Sequence, residues 1–177
     1  MQNALINVEE QRAQELGAQH ASSATTHFRS VPMVITLAAT IALVLHGPLA
    51  QYAGYHHFAD RRAWLGIPNA LDVLSNVGFA VIGAYGLYRL WPRRDYPALI
   101  AGWPGFALFL VSLVLTGLGS AFYRLAPDDG RLIWDRLPIA LACAGLLAGV
   151  RALAMSSVKG ARVAAVLALV AVASVFW

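Results

Sequence analysis

Apolar residues recur in long runs from Pro32 to the end of the chain, and short polar clusters separate these runs. A helix needs about 20 apolar residues to cross a hydrocarbon core roughly 30 Å thick. On that criterion the pattern predicts five membrane-spanning helices, at 32–49, 71–91, 99–123, 135–155 and 162–177. The first span is short, and His46 and Pro48 interrupt it. We therefore predict an all-α, polytopic transmembrane bundle at 31–177, preceded by a polar tail at 1–30.

Composition supports a membrane protein. Hydrophobic residues make up 59% of the chain and charged residues 12%, and the mean hydropathy is +0.61, values that favour a polytopic membrane protein over a soluble domain. Lys and Arg flank the predicted spans, so the net charge of +4 does not indicate a nucleic-acid surface. The lone cysteine, Cys143, lies in the fourth span and is interpreted as a small core residue.

Three polar clusters lie at the ends of apolar runs: 69–76 (NALDVLSN), 119–124 (GSAFYR) and 134–138 (WDRLP). Uncompensated polar groups are costly in a bilayer, so such residues pair, bind a ligand or face water. Alternating the five spans places all three clusters on one membrane face. It also places eight of the 13 Lys and Arg residues on the amino-terminal side, which predicts a cytoplasmic amino terminus. The pattern thus predicts a polar cavity opening to the other side.

Helical spacing groups the candidate residues into two stripes. The second span carries Asp72, Ser75 or Asn76, and Phe79, and the third carries Ser112, Thr116, Ser120 and Tyr123. Other interpretations stay open. Small hydroxyl residues at this spacing also let membrane helices pack closely, an aspartate such as Asp72 or Asp135 also caps helix amino termini, and an arginine such as Arg124 also extends to the interface from a helix end.

Two adjacent histidines, His56 and His57, precede Asp60. Neighbouring side chains point apart on a helix or strand, and no third ligand follows closely, so a metal site is the less favoured interpretation. We expect them to be interfacial polar residues.

The phrases IPNALDVLSNVGF, GSAFYRLAPDD and WDRLP resemble the bacterial branch of the alkaline ceramidase-type membrane hydrolases, a group that also includes progestin and adiponectin receptor-like proteins. The resemblance covers about residues 55–140. It implies a seven-span fold in a bacterial inner membrane. It also implies a ceramide-like lipid as partner and a zinc ion that is held by three histidines. In that family, the water bound to the zinc ion attacks an amide.

Carried over one position at a time, the resemblance assigns Asn76, Ser120 and Asp135 to the family motifs. Arg124 stands where the family has a histidine, and no histidine follows His57 to supply the family's final His-x-x-x-His pair. A guanidinium has no lone pair to give to zinc. Zinc is therefore expected for the family but not for this chain, to which no metal ligand is assigned, and Arg124 is expected to pair with Asp135.

The last apolar run is short for a span, so we expect a chain truncated relative to the seven-span family. Two functions stay open. The first is a ceramidase-like amide hydrolase, incomplete or inactive in this chain, with Ser120 and Asp135 as catalytic residues. The second is a non-catalytic lipid-binding or receptor-like protein with an Arg-Asp pair in place of the metal. In both, Asp72, Ser75, Asn76 and Arg124 are expected to line the cavity. A transporter subunit is less favoured, because no inverted repeat is visible.

Overall fold

The computed structural model describes residues 34–35, 38, 40–42, 44–47, 54–58, 62–154 and 160–176. The predicted tail at 1–30 and Asp60 lie outside these residues. The chain divides into two units, residues 1–51 and 52–177. In the first unit, the described residues between 34 and 46 are helical and their side chains are exposed, within the predicted first span.

The described part of the second unit consists mainly of helices. They are α1 (Ala70–Leu74), α2 (Val77–Leu90), a 3-10 turn (Trp91–Arg93), α3 (Trp103–Leu125), α4 (Asp129–Ala154) and α5 (Gly160–Phe176). Among the described residues, three stretches are long and apolar enough to cross a membrane: Ala70–Arg93, Trp103–Leu125 and Asp129–Ala154. Helix α5, with 17 residues, is shorter. The predicted all-α, polytopic membrane fold is confirmed.

Helix α4 begins before its predicted start at residue 135. Its first residue is Asp129, because the Asp128 carboxylate accepts a hydrogen bond of 2.8 Å from the backbone N–H of Arg131. A side chain that satisfies a free N–H of the first turn caps a helix. Asp135 consequently lies in the second turn, and the interpretation of Asp135 as the capping residue is wrong.

A break separates α1 from α2 inside the predicted second span. The backbone carbonyl of Asp72 accepts hydrogen bonds from the Ser75 hydroxyl, at 2.9 Å, and from the Asn76 side-chain amide, at 2.6 Å. These side chains take the carbonyl that the Asn76 N–H would use in an α-helix, so that N–H bonds Val73 instead, at 3.2 Å. The predicted stripe is therefore not continuous, and Ser75 and Phe79 are exposed whereas Asn76 is buried.

Helix α3 is the centre of the unit, with α2 and α4 packed antiparallel against it and α5 packed on α4. The contact between α3 and α4 is built from small residues. A Cβ on Gly105 would overlap the backbone of Gly149, and one on Gly119 would overlap the carbonyl of Trp134. In a bilayer the lipid tails are as apolar as the protein interior, so the hydrophobic effect does not drive helices together. Close backbone packing of this kind drives their association instead.

Two of the predicted stripe residues belong to this packing. Ser112 and Thr116 are buried, and the Thr116 hydroxyl donates to the Ser112 carbonyl at 2.8 Å. The helix-packing interpretation of this pair is confirmed. Cys143 lies on the outer face of α4 and is exposed, so its interpretation as a core residue is wrong. The face of α4 that packs against α3 carries smaller residues, such as Gly145.

Candidate functional site

Ser120 and Asp135 are joined across the α3–α4 contact. The Ser120 hydroxyl donates a hydrogen bond to a carboxylate oxygen (Oδ1) of Asp135. Ser120 is 3% exposed, and the Asp135 side chain is 17% exposed. The close approach of Gly119 to the backbone of Trp134, one residue before each, brings the two side chains together.

Arg124 lies one turn beyond Ser120 on α3. Its Nη1 atom is 3.7 Å from the same Asp135 oxygen, and its guanidinium carbon is 5.3 Å from the centre of the Phe58 ring. The predicted contact between Arg124 and Asp135 is confirmed. The Arg124 side chain is 28% exposed, so it is not simply extended into the interface. We call Ser120, Arg124 and Asp135 the polar cluster.

One atom of the polar cluster lacks a hydrogen-bond partner. Nη1 of Arg124 is buried and makes no hydrogen bond in the described structure, because the Asp135 oxygen at 3.7 Å is beyond hydrogen-bond distance. Buried polar groups are nearly always hydrogen-bonded, so an exception suggests a ligand or water. The polar cluster therefore contains a hydrogen-bond donor, Nη1 of Arg124, that is available to a ligand.

His56 ties the segment that precedes α1 to the same end of the bundle. Its Nδ1 is 2.9 Å from the Tyr123 hydroxyl, and its Nε2 is 3.0 Å from the Asp129 carboxylate. Tyr123 is almost fully buried beside Ser120 and Arg124 on α3. His56 therefore bridges the end of α3 and the start of α4, whereas its neighbour His57 is exposed.

A second link from the same segment involves Tyr55 and Arg136. The Arg136 guanidinium donates to the Tyr55 hydroxyl at 3.0 Å, and its central carbon is 5.3 Å from the Tyr55 ring. The ring of Phe58 also packs edge-on to Tyr123, with centroids 5.5 Å apart. Sequence reasoning missed these partners, because residues more than 60 positions apart leave no periodic signal.

The remaining predicted site residues, Asp72, Ser75 and Asn76, lie on α1 or directly after it. The residue directly before α1, Asn69, donates a hydrogen bond of 2.8 Å to the Arg124 carbonyl and so satisfies one free carbonyl at the end of α3. The backbone carbonyl of Asn76 lies against Gly117, and its side-chain amide donates to the backbone carbonyl of Asp72. The Ser75 hydroxyl donates to the same Asp72 carbonyl. The structure thus brings α1 to the polar cluster through Asn69, while Ser75 remains outside it.

Asp72 is the third residue of α1 and lies in its first turn, where an acid favours the positive end of the helix dipole, although the N-cap residue is Asn69. Its Oδ2 atom is buried without a hydrogen-bond partner among the described residues. Asp72 is a second polar group near this end of the bundle whose hydrogen-bonding capacity is not fully used.

The residues present do not fit the three-histidine zinc site that the resemblance implies. A guanidinium stays protonated and has no lone pair to donate, and the positive charge of Arg124, 3.7 Å from Asp135, would repel a metal ion there. Over the ranges that the structure describes, no three His, Cys, Asp or Glu side chains group as metal ligands. The polar cluster is an ion pair with a serine.

An apolar groove of about 310 Å³ runs along the outside of α3 and α4 at the level of the polar cluster. Its lining includes Gly119 and Trp134, the residues that directly precede Ser120 and Asp135, together with large side chains such as Phe122 and Leu137. The polar cluster is therefore flanked by a surface suited to hydrocarbon.

Comparison of the chain with protein-family models, with curated proteins and with solved structures gives no match. The likeness to the ceramidase-type hydrolases accordingly stays a prediction from three motifs.

Proposed function

We propose that this chain is an integral membrane protein that binds the polar part of a ceramide-like lipid at the polar cluster without hydrolysing it. The observation that carries the proposal is the buried Nη1 of Arg124, a donor without a hydrogen-bond partner in the described structure. A donor of this kind suits a carbonyl or hydroxyl oxygen of a lipid head group.

Charge favours a neutral head group. Asp135 lies 3.7 Å from Arg124 and compensates its charge, so a second anion would meet the carboxylate as well as the guanidinium. An uncharged amide or hydroxyl group accepts a hydrogen bond from Nη1 without that repulsion. The apolar groove along α3 and α4 then offers a surface for the acyl chain. These features together favour a lipid with a neutral, amide-containing head group.

Hydrolysis is the second candidate, and the hydrogen bond between Ser120 and Asp135 is the observation that favours it. In that function Asp135 would orient the attacking water or accept its proton, and Ser120 would stabilise the negative charge that develops on the substrate oxygen. The donor set does not fit a metal that would activate water, since Arg124 stands at the place of a ligand. Binding without turnover therefore accounts for more of the residues present.

The test is binding of a fluorescent ceramide to the full chain in lipid nanodiscs, with fatty-acid release measured in the same samples. We expect saturable binding without release, and weaker binding by about threefold to tenfold in Ser120→Ala and Arg124→Gln, which remove or reorient the site's hydrogen bonds. The matched control is Ser75→Ala, because Ser75 is exposed and bonds only within its own turn. Fatty-acid release that Ser120→Ala abolishes would establish the hydrolase instead, and equal binding by all variants without any release would overturn both.

A further inference from the structure

The two ends of the second unit differ in charge. One end is formed by the end of α2, the start of α3, the end of α4 and the start of α5, and we call it the arginine-rich end. Among the described residues it carries five arginines and one acid: Arg89, Arg93, Arg94, Arg151, Arg162 and Asp95. The opposite end, with the polar cluster, carries four arginines and four aspartates: Arg62, Arg124, Arg131, Arg136, Asp72, Asp128, Asp129 and Asp135. Positive charge without matching acids is therefore confined to one end.

Two of these arginines border a groove between α4 and α5. The groove encloses about 400 Å³, and its lining consists of Leu147, Arg151, Arg162, Val163, Val166 and Leu167. Four of the six residues are aliphatic and the other two are arginines. The groove thus joins a cationic mouth to a hydrocarbon wall.

The two arginines lie at helix ends, which in a membrane-spanning helix reach the lipid head groups. Arg151 is in the last turn of α4, and Arg162 is in the first turn of α5, so each lies within about 5 Å of a helix end along the axis. The aliphatic residues continue along both helices from there toward the bilayer interior. Both arginine side chains are exposed, and neither has an ion-pair partner among the described residues.

We infer that this groove binds an anionic phospholipid, with Arg151 and Arg162 on the phosphate and the aliphatic wall against an acyl chain. Guanidinium groups bind phosphate oxygens in a two-point geometry, and basic pockets between membrane helices bind acidic head groups. An anionic lipid matches the unbalanced charge of this end, which a zwitterionic lipid does not. This site is separate from the polar cluster and does not depend on its function.

The test measures lipid binding to the full chain by native mass spectrometry in detergent, with phosphatidylglycerol, phosphatidylcholine and inorganic phosphate as probes. We expect phosphatidylglycerol to bind and to resist displacement by millimolar inorganic phosphate. The variant Arg151→Gln with Arg162→Gln should bind it about tenfold more weakly or worse, since each basic residue near a membrane surface strengthens attraction to acidic lipids. Arg151→Lys with Arg162→Lys should lose part of the affinity, because it keeps the charge but not the planar fork.

The matched control is Arg89→Gln with Arg94→Gln, which removes the same charge from the same end at side chains that stack on Tyr85 and Trp91. This control should bind phosphatidylglycerol within about twofold of the unmodified chain. An equal loss in the control would show a diffuse field and overturn the site. Equal binding of phosphatidylcholine, or displacement by inorganic phosphate, would overturn the proposed ligand. Should the double glutamine variant not fold, undiminished binding by the lysine variant would overturn the two-point contact.

Discussion

The Arg124 guanidinium lies 3.7 Å from the Asp135 carboxylate, and the Ser120 hydroxyl donates to the same carboxylate oxygen. A cation, an anion and a hydroxyl therefore share one partly buried position where two apolar helices meet. The positive charge of Arg124 and the negative charge of Asp135 compensate each other there, at side chains that are 28% and 17% exposed.

Arg124 and Asp135 should behave as a unit in a double-mutant cycle. Arg124→Gln and Asp135→Asn should each destabilise the chain by about 1–3 kcal/mol, because each leaves a partner charge stranded in a partly buried position. The double variant should cost less than the two single costs added together, by at least about 0.5 kcal/mol. The measurement is unfolding in mixed detergent micelles. Strict additivity would mean that the two charges do not interact.

Gly119 should tolerate no side chain. Gly119→Ala places a Cβ against the carbonyl of Trp134, so the helices must separate, and we expect a loss of about 1–3 kcal/mol. Gly78→Ala is the control, because a Cβ there meets nothing within 4 Å, and it should be neutral or stabilising by up to about 1 kcal/mol. Thermal unfolding in detergent measures both. Equal stability of the two variants would show that α3 and α4 do not approach closely.

His56 should hold the segment at 54–58 on the bundle. His56→Phe keeps a ring but removes the hydrogen bonds to Tyr123 and Asp129, so amide hydrogen exchange in this segment should rise by about tenfold or more. His57→Phe alters the exposed neighbour and should leave exchange unchanged. Similar exchange in the two variants would show that the His56 bonds do not anchor the segment.

The purified chain should hold well below one zinc per molecule. The reason is the donor set, because the guanidinium of Arg124 has no lone pair to give to a metal and no histidine follows His57. Elemental analysis measures the zinc content, and a chelator should leave the unfolding temperature unchanged. Arg124→His serves as a comparison, since it supplies one histidine and still leaves the set incomplete. One tightly held zinc whose removal lowers the unfolding temperature would contradict this prediction.

Local pattern predicted the helices well but not their ends. The spans at 99–123 and 135–155 correspond to α3 at Trp103–Leu125 and α4 at Asp129–Ala154. Apolar content reports which residues lie in lipid, whereas a helix end is set by a hydrogen bond such as that from the Arg131 N–H to Asp128. The break between α1 and α2 was missed for the same reason, since Asn76 competes with the backbone for one carbonyl.

The sequence by itself determined that this is an all-α membrane protein and that Arg124 and Asp135 lie near one end of it, because hydropathy and charge act locally along the chain. The sequence also predicted the Arg124–Asp135 pair, but only the tertiary structure showed the hydrogen-bond partners of these and the other polar groups. The contact between Ser120 and Asp135 depends on the small-residue packing of α3 on α4, and the role of His56 depends on partners 67 and 73 positions away. No local pattern encodes such distances, since they follow from how closely the helices pack.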